Sequence, residues 1–380
     1  MIINKVNDLK FSGIAEVVEK ANKLGGDVIR LEVGDLDINT SEKLKMELKK
    51  AIDNNVTHYP ALVGNKKLIK QVVDLLKREN LNVSEDNILI TSGGSMGMYL
   101  IFASLINEND EILVPMPIWP HLPEMIKFCG GKVVPVNCDK NFHLDFKDIL
   151  HKIGNKTKAI LLNSPNNPTG VIYSKEELNR LKEICEQNNL SLIVDEEYCD
   201  FNYSNNPFAS AINLTKNTFV SRSFSKKYAI AGLRLGYIVA DAAYISQIKK
   251  LSLFTSMYSN SVIQEGLANY INTEDEIKFS KNTQELFYNK MKLLVEGFKN
   301  IKGLKANYSE GGMYVWLDVS SLGNDKSVAD LFLYKANVAT VPGSFFGENG
   351  ENYLRVSLGA SEDDLLKALK RIKETLWNIF

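Results

Sequence analysis

The sequence lacks the features that mark membrane, secreted and nucleic-acid-binding proteins. No apolar run is long enough to span a membrane, and the first residues, MIINKVNDLKFSG, contain no apolar signal-peptide core. The net charge is -1 and no block of like charges occurs, so no basic surface indicates nucleic acid. These absences favour a cytoplasmic protein that binds neither membranes nor nucleic acid.

Cysteines and flexible linkers are also scarce. The four cysteines are Cys129, Cys138, Cys185 and Cys199. They form no C-x-x-C pair and have no histidine at zinc spacing, so we expect reduced thiols and no metal site. No repeat or Pro/Gly-rich linker divides the 380 residues, a length that fits about two domains.

Short apolar segments alternate with helical patterns along most of the chain. Strands are expected at 88–91, 111–115, 132–136, 159–163, 191–195, 218–221 and 236–240. This alternation predicts an α/β fold with a mainly parallel sheet flanked by helices, and ligands beyond the carboxyl ends of its strands. After about residue 280 the pattern changes to a long helix, strands at 312–319, 338–341 and 353–358, and a helix over 365–380. A helix over 13–25 and a strand over 28–33 precede the sheet.

One stretch places a lysine among groups that suit an anion. Ser221 to Tyr237 reads SRSFSKKYAIAGLRLGY, with Ser223 three residues before Lys226 and Arg234 eight residues after it. Hydroxyls and a guanidinium bind phosphate, and a lysine held beside them can act as a nucleophile or base. The pattern indicates pyridoxal 5'-phosphate (PLP) held as a Schiff base. The alternative is a surface turn with an ordinary lysine, because short motifs often match by chance.

Other segments at strand ends carry groups that suit the same cofactor. In ITSGGSMGMYL, Gly94 and Ser95 follow a strand and open a helix, a layout that cradles phosphate. Trp119 in PMPIWPH suits stacking on a flat ring. The alternatives are a tight turn and a tryptophan of the core.

Two further segments supply a carboxylate and donors for the ring. In NSPNNPTG, a rigid turn projects the amide of Asn167, and in LIVDEEYCDF Asp195 ends a strand three residues before Tyr198. Asp195 could keep a pyridine nitrogen protonated, while Asn167 and Tyr198 could donate to a phenolate oxygen. The alternatives are a plain turn and a helix cap. Glu196 and Glu197 are interpreted as ordinary acids without a role.

In this order, these segments resemble the class I/II PLP-dependent aminotransferases, which are fold type I enzymes of the aspartate aminotransferase superfamily. The turn at 167–170 and the signature at 226–236 are the most specific parts, and the resemblance runs from about residue 11 to the C-terminus. It implies a seven-stranded sheet in a large PLP-binding domain over 41–280 and a small C-terminal domain over 281–380. The segment 1–40 would join the small domain.

The resemblance also implies residue roles. Lys226 would form the Schiff base and then move the proton between substrate and cofactor. Asp195 would pair with the pyridine nitrogen, Tyr198 and Asn167 with the ring hydroxyl, and Trp119 with the ring face. The residues implied to hold the phosphate are Gly94, Ser95, Ser223 and Arg234.

Three more positions are assigned by the resemblance. Arg355, in NYLRVSLGA, would pair with the substrate carboxylate, and the backbone at Gly34 would lie near it. Tyr59 would reach the phosphate of the neighbouring subunit, so the active unit would be a homodimer with its site at the interface. Ser95 stands where many prokaryotic aspartate-type relatives have a lysine, which makes a dicarboxylic substrate less expected.

The predicted function is transfer of an amino group from an amino acid to a 2-oxo acid by a ping-pong mechanism. Two alternatives remain on the sequence alone. One is a PLP-dependent lyase, decarboxylase or cyclising enzyme, because the same fold serves all of these. The other is a non-catalytic PLP-binding regulator. Tyr198 favours transfer, because lyase relatives often carry a histidine at that position.

Overall fold

The computed structural model describes residues 4–7, 9, 11–204 and 206–377. The strands in those ranges are β1 (Ile29–Arg30), β2 (Ile88–Thr91), β3 (Glu111–Pro115), β4 (Lys132–Val136), β5 (Thr157–Asn163), β6 (Ser191–Asp195), β7 (Thr218–Ser223), β8 (Gly236–Val239), β9 (Lys305–Ala306), β10 (Tyr314–Asp318), β11 (Val338–Ala339), β12 (Val341–Pro342) and β13 (Tyr353–Ser357). The α-helices there are α1 (Asn4–Asn7), α2 (Gly13–Leu24), α3 (Glu42–Asp53), α4 (Lys66–Arg78), α5 (Gly94–Leu105), α6 (His121–Phe128), α7 (Phe146–Lys152), α8 (Lys175–Asn188), α9 (Ala242–Phe254), α10 (Ser261–Tyr270), α11 (Glu274–Lys299), α12 (Asp325–Ala336) and α13 (Glu362–Trp377).

Seven of the described strands form the central sheet, in the order β2-β8-β7-β6-β5-β3-β4. The strands from β7 to β4 run parallel to one another, and β8 runs antiparallel to both of its neighbours. The prediction of a mainly parallel seven-stranded sheet is therefore confirmed. β2, β3, β4 and β6 have the predicted bounds, whereas β7 continues to Ser223 because that residue pairs with Gly236 on β8.

Each face of the sheet packs against its own apolar cluster. On β6, Leu192 and Val194 belong to a cluster that includes Leu181 of α8, whereas Ile193 belongs to one that includes Ile101 of α5. Successive strand residues point to opposite faces, so helices on both sides bury the strand completely. This double burial explains the unbroken apolar run that the sequence shows there.

The strand predicted over 338–341 is two strands in different sheets. β11 pairs in parallel with β1, whereas β12 pairs antiparallel with β13. The chain passes from one sheet to the other at the buried Thr340. The strand predicted over 28–33 is also shorter than expected and is limited to β1. Just beyond β1, the Leu31 N–H donates to the carbonyl oxygen of Ala339 and the Leu31 carbonyl accepts from the Ser357 N–H, so the backbone there bonds to both sheets.

The beginning of the chain packs with its C-terminal third. Strands β12-β13-β10-β9 form a four-stranded antiparallel sheet in that order. Leu317 and Val356 of this sheet share an apolar cluster with Ile29 and Leu31. The domain boundaries after residues 40 and 280 stay a prediction, and α11 runs across the second one. Residues 378–380 of the predicted last helix lie outside the described residues.

The described helices include none that is long and apolar enough to cross a membrane. No disulfide joins the four cysteines, all of which lie in the described ranges, and Cys185 is buried.

A buried ion pair ties the loop after β6 to β7. Arg222 Nε lies 2.8 Å from Glu196 Oε2, and both side chains are almost completely buried. Glu196 also accepts a hydrogen bond from the backbone N–H of Ala211, and Arg222 Nη1 lies 2.7 Å from Glu79 Oε2. Glu196 therefore has a structural role that its position beside two other acids did not suggest.

We expect Glu196→Ala to lower the free energy of unfolding by about 3 kcal/mol, because it removes one of the two carboxylates paired with the buried Arg222 and leaves Arg222 Nε and the Ala211 N–H without an acceptor. Urea denaturation followed by circular dichroism measures the change. The control is Glu19→Gln, which removes an exposed pair with Lys23 and should leave the denaturation midpoint essentially unchanged. Equal midpoints for Glu196→Ala and the unmodified protein would contradict the structural role.

Candidate active site

A cavity of about 230 Å³ lies at the carboxyl ends of the central strands. Asn163 at the end of β5, Asp195 at the end of β6 and Gly94 at the start of α5 all line it. Parallel strands end at the same edge of a sheet, which is why distant sequence segments meet here. The predicted site residues that line the cavity are Gly34, Gly94, Ser95, Trp119, Asn167, Asp195, Tyr198, Lys226, Arg234 and Arg355.

The Lys226 amine lies inside this cavity. Its Nζ donates a hydrogen bond to the carbonyl oxygen of Gly34 at 2.6 Å and lies 4.0 Å from Asp35 Oδ1. The side chain is only 14% exposed. The amine of the β7–β8 connection thus reaches the N-terminal segment, which the sequence placed near the substrate.

The first turn of α5 and Arg234 form an anion cradle, defined here as Gly93, Gly94, Ser95, Ser225 and Arg234. Gly93 has φ +87°, and a Cβ on it would lie 2.4 Å from Arg234 Nη2, so only glycine allows the guanidinium this close. Arg234 Nη1 donates to the carbonyl oxygen of Ala231 at 2.9 Å. Free backbone N–H groups at a helix start, together with a guanidinium, favour a bound phosphate.

Ser225, rather than the predicted Ser223, is the serine of this turn that lines the cavity. Ser223 Oγ donates to Ser225 Oγ at 2.7 Å and accepts from the Ser225 N–H at 2.9 Å, so it supports its neighbour from behind. Both serines belong to the same short motif, and only the backbone path distinguishes them. The role of Ser223 as a phosphate ligand stays a prediction.

Asp195 suits a positively charged ring nitrogen. Its carboxyl is buried, and Oδ1 accepts a hydrogen bond from the Glu197 N–H at 3.1 Å. Burial raises the pKa of Asp195 to about 7. A protonated pyridine nitrogen placed against this carboxylate would favour its ionised form again. The buried carboxyl therefore fits the cofactor that the sequence predicts.

Arg355 suits a carboxylate. The guanidinium is buried, Nη2 donates to the carbonyl oxygen of Glu32 at 2.6 Å, and Nη1 donates to Asn167 Oδ1 at 3.1 Å. Its Nε is buried without a partner among the described residues. Buried N–H groups nearly always have an acceptor, so the orphaned donor indicates an anionic ligand. Because Asn167 uses its oxygen for Arg355, its amide NH2 remains available as a donor.

Sequence reasoning missed Tyr314, which lines the cavity from β10. Its hydroxyl lies 2.9 Å from the hydroxyl of Tyr198, and its ring lies 4.3 Å from the Arg355 guanidinium carbon. A Cβ on Gly34 would lie 2.1 Å from the Tyr314 hydroxyl, so glycine at 34 is required by this contact. Tyr314 sits in a fully buried strand, where no periodic pattern marks it as a site residue.

Sequence reasoning also missed His121. The His121 ring stacks on Trp119 with 4.4 Å between centroids, and burial together with the nearby Arg355 charge lowers the pKa of His121.

Tyr59 is 83% exposed, does not line this cavity, and lies against Tyr258 with 4.9 Å between ring centroids. Its role in a neighbouring subunit stays a prediction.

The sequence matches the family described as aminotransferase class I and II over residues 26–372. The chain belongs to this family. It is 32% identical to an aspartate aminotransferase of Pyrococcus horikoshii, over 99% of this chain and 97% of that protein. It is 33% identical to a probable aspartate/prephenate aminotransferase of Aquifex aeolicus, over 100% of this chain and 99% of that protein.

Solved structures of this family have the same fold. The structure of Thermus thermophilus aspartate aminotransferase with maleate superposes with a TM-score of 0.94 at 30% identity, covering 99% of this chain and 100% of that one. The chain is thus a fold type I, PLP-dependent transaminase, which moves an amino group between an amino acid and a 2-oxo acid. The comparisons favour transfer over the lyase and regulatory alternatives. The anion cradle, the buried Asp195 and the orphaned Arg355 Nε fit PLP and an amino-acid carboxylate.

We expect Gly93→Ala to weaken PLP binding about tenfold or more, because a side chain at this left-handed position is strained and displaces Arg234. Titration of the cofactor-free protein with PLP, followed by absorbance, gives the dissociation constant. Gly232→Ala is the matched control in the same region, because a Cβ there meets nothing within 4 Å. Unchanged affinity in Gly93→Ala would contradict the cradle.

Proposed function

We propose that amino transfer takes place in the cavity around Lys226, with the residue roles that the sequence predicts. One observation carries this proposal. The Lys226 amine shares a cavity with two separate anion-binding groups, the cradle at the start of α5 and the guanidinium of Arg355. One would hold the cofactor phosphate and the other the substrate carboxylate, so the amine lies where both molecules meet.

When bound, PLP supplies an electron sink that stabilises negative charge at the substrate α-carbon. Asp195 would pair with the pyridine nitrogen and favour its protonated form. Tyr198 and the free amide donor of Asn167 would hydrogen-bond the ring oxygen, and Trp119 would pack against the ring. The Lys226 Nζ would act as the general acid/base of the site, accepting the substrate α-proton and later giving it up again.

The same residues serve both halves of a ping-pong cycle. Arg355 binds the carboxylate of the amino acid first and that of the 2-oxo acid second, since both carry the same group. Burial raises the pKa of Tyr198 well above its usual value, so its hydroxyl stays a donor throughout. In the second half-reaction, Lys226 returns the proton to the α-carbon.

We propose that the substrate side chain is uncharged. The cationic side chains that line the described cavity are Lys226, Arg234 and Arg355. Each already has a role, and His121 has a lowered pKa and is therefore neutral. Within one subunit, no described cation of the cavity is left for a second carboxylate, and Ile14 and Met98 add apolar surface. The relatives whose names include aspartate favour a dicarboxylic substrate instead. Rates with charged and uncharged amino acids distinguish the two expectations.

We further propose a homodimer and a cytoplasmic location. Tyr59 is exposed and lies outside its own cavity, which suits a residue that reaches the phosphate of a partner subunit. The cytoplasmic location is supported by the four cysteine thiols, because reduced cysteines are typical of proteins in a reducing compartment.

We expect Lys226→Ala to abolish turnover and the yellow absorbance of lysine-bound cofactor, while the cradle still retains PLP. Absorption spectra and single-turnover kinetics measure both effects. Lys216→Ala removes an exposed lysine and should behave like the unmodified enzyme. Transamination by Lys226→Ala at a normal rate would contradict the assigned role.

We expect phenylalanine or alanine to convert the lysine-bound cofactor to its amine form faster than aspartate does. The loss of yellow absorbance after each amino acid is added measures the half-reaction. Faster conversion by aspartate would overturn the uncharged substrate class and leave the transaminase mechanism intact.

A further inference from the structure

The Glu197 carboxyl reaches the anion cradle, although the roles above do not use it. Glu197 lies two residues after the end of β6 and lines the cavity. Its Oε2 is so close to Gly94 that a Cβ on that glycine would lie 2.8 Å from it. The same Cβ would lie 3.4 Å from Ser223 Cβ, so an acid and a hydroxyl flank the first turn of α5.

Several charged and titratable groups face this carboxyl. Asp195 and Tyr198 come from the same loop, and Lys226 and Arg234 come from the β7–β8 connection. Burial raises the pKa of Glu197 to about 8, the Asp195 charge acts in the same direction, and the two cations oppose it. The carboxyl is therefore neutral below about pH 8 and ionised above it.

We propose that Glu197 is a further phosphate-binding residue beside the anion cradle, and that its carboxyl is protonated when the cofactor phosphate is bound. An ionised carboxylate beside a phosphate would repel it, whereas the carboxylic acid can donate a hydrogen bond to a phosphate oxygen. The proton comes from solvent, and no other bond changes. This inference rests on the proposed function, because it requires the phosphate to occupy the cradle.

The sign of the pH dependence follows from this linkage. Below about pH 8 the free protein already carries the proton, so phosphate binding consumes almost none. Above that pH, each binding event must first protonate Glu197, and the affinity falls as the pH rises. Between about pH 7 and about pH 9, Glu197 alone should contribute an about tenfold increase in the dissociation constant and the uptake of close to one proton at the higher pH.

The test uses the full-length protein freed of cofactor and titrated calorimetrically with pyridoxamine 5'-phosphate, which forms no bond to Lys226. Titrations at about pH 7 and about pH 9, in buffers of different ionisation enthalpy, give the affinity and the number of protons taken up. The ratio of the dissociation constants at about pH 9 and about pH 7 should be about tenfold smaller for Glu197→Gln than for the unmodified protein. At about pH 9 the variant should also take up about one proton fewer.

Two further variants complete the design. Glu197→Ala should show the same flattened pH profile with weaker binding at about pH 7, because it also removes the hydrogen-bond donor. Glu183→Gln, an exposed site on α8, should follow the unmodified protein. Thermal melts of all variants confirm that they fold.

Identical pH dependence and proton uptake in Glu197→Gln and the unmodified protein would overturn the inference. So would the same Glu197-dependent effect with pyridoxamine, which lacks the phosphate. If neither compound binds at either pH, or if pyridoxamine binds as tightly as its phosphate ester, the cradle assignment in the proposed function fails instead.

Discussion

Burial of charge is the constraint on which this active site depends. Arg355 and Asp195 are buried and Glu197 is partly buried, and an unpaired charge in such surroundings is costly. Protein groups satisfy each of them only in part: Arg355 keeps an orphaned Nε, and both acids have a pKa well above the usual range. For Arg355 and Asp195, ligands of complementary charge would supply the missing partners, so the groups whose burial costs stability are also suited to binding.

Two different sheets carry the charged groups of the cavity. The anion cradle and Lys226 belong to the central sheet and its connections, whereas Arg355 and Tyr314 belong to the smaller antiparallel sheet. Gly34 joins the two sides, because its carbonyl accepts from Lys226 and its Cα touches the Tyr314 hydroxyl. The cavity is thus a boundary between two separately packed apolar clusters.

The central sheet was predictable because its strands are short apolar runs bounded by turn residues, and β6 has the predicted bounds. The break at Thr340 was not, because burial is continuous there and local pattern does not say which sheet a strand joins. Among site residues, strand-end motifs located Asp195 and Lys226 in the cavity. Tyr314 arises from long-range contacts, and Glu197 could not be told from its acidic neighbours.

The position of Arg355 near the end of the chain has a consequence for biosynthesis. The cradle and Lys226 leave the ribosome well before β13, which carries Arg355 and pairs with β10 and β12. A nascent chain therefore contains the groups proposed to hold the cofactor before the side chain proposed to pair with the substrate carboxylate. A chain that ends before β13 would carry Lys226 and the cradle without the guanidinium proposed for the substrate, so both candidate binding groups are present only after the last described strand has been made.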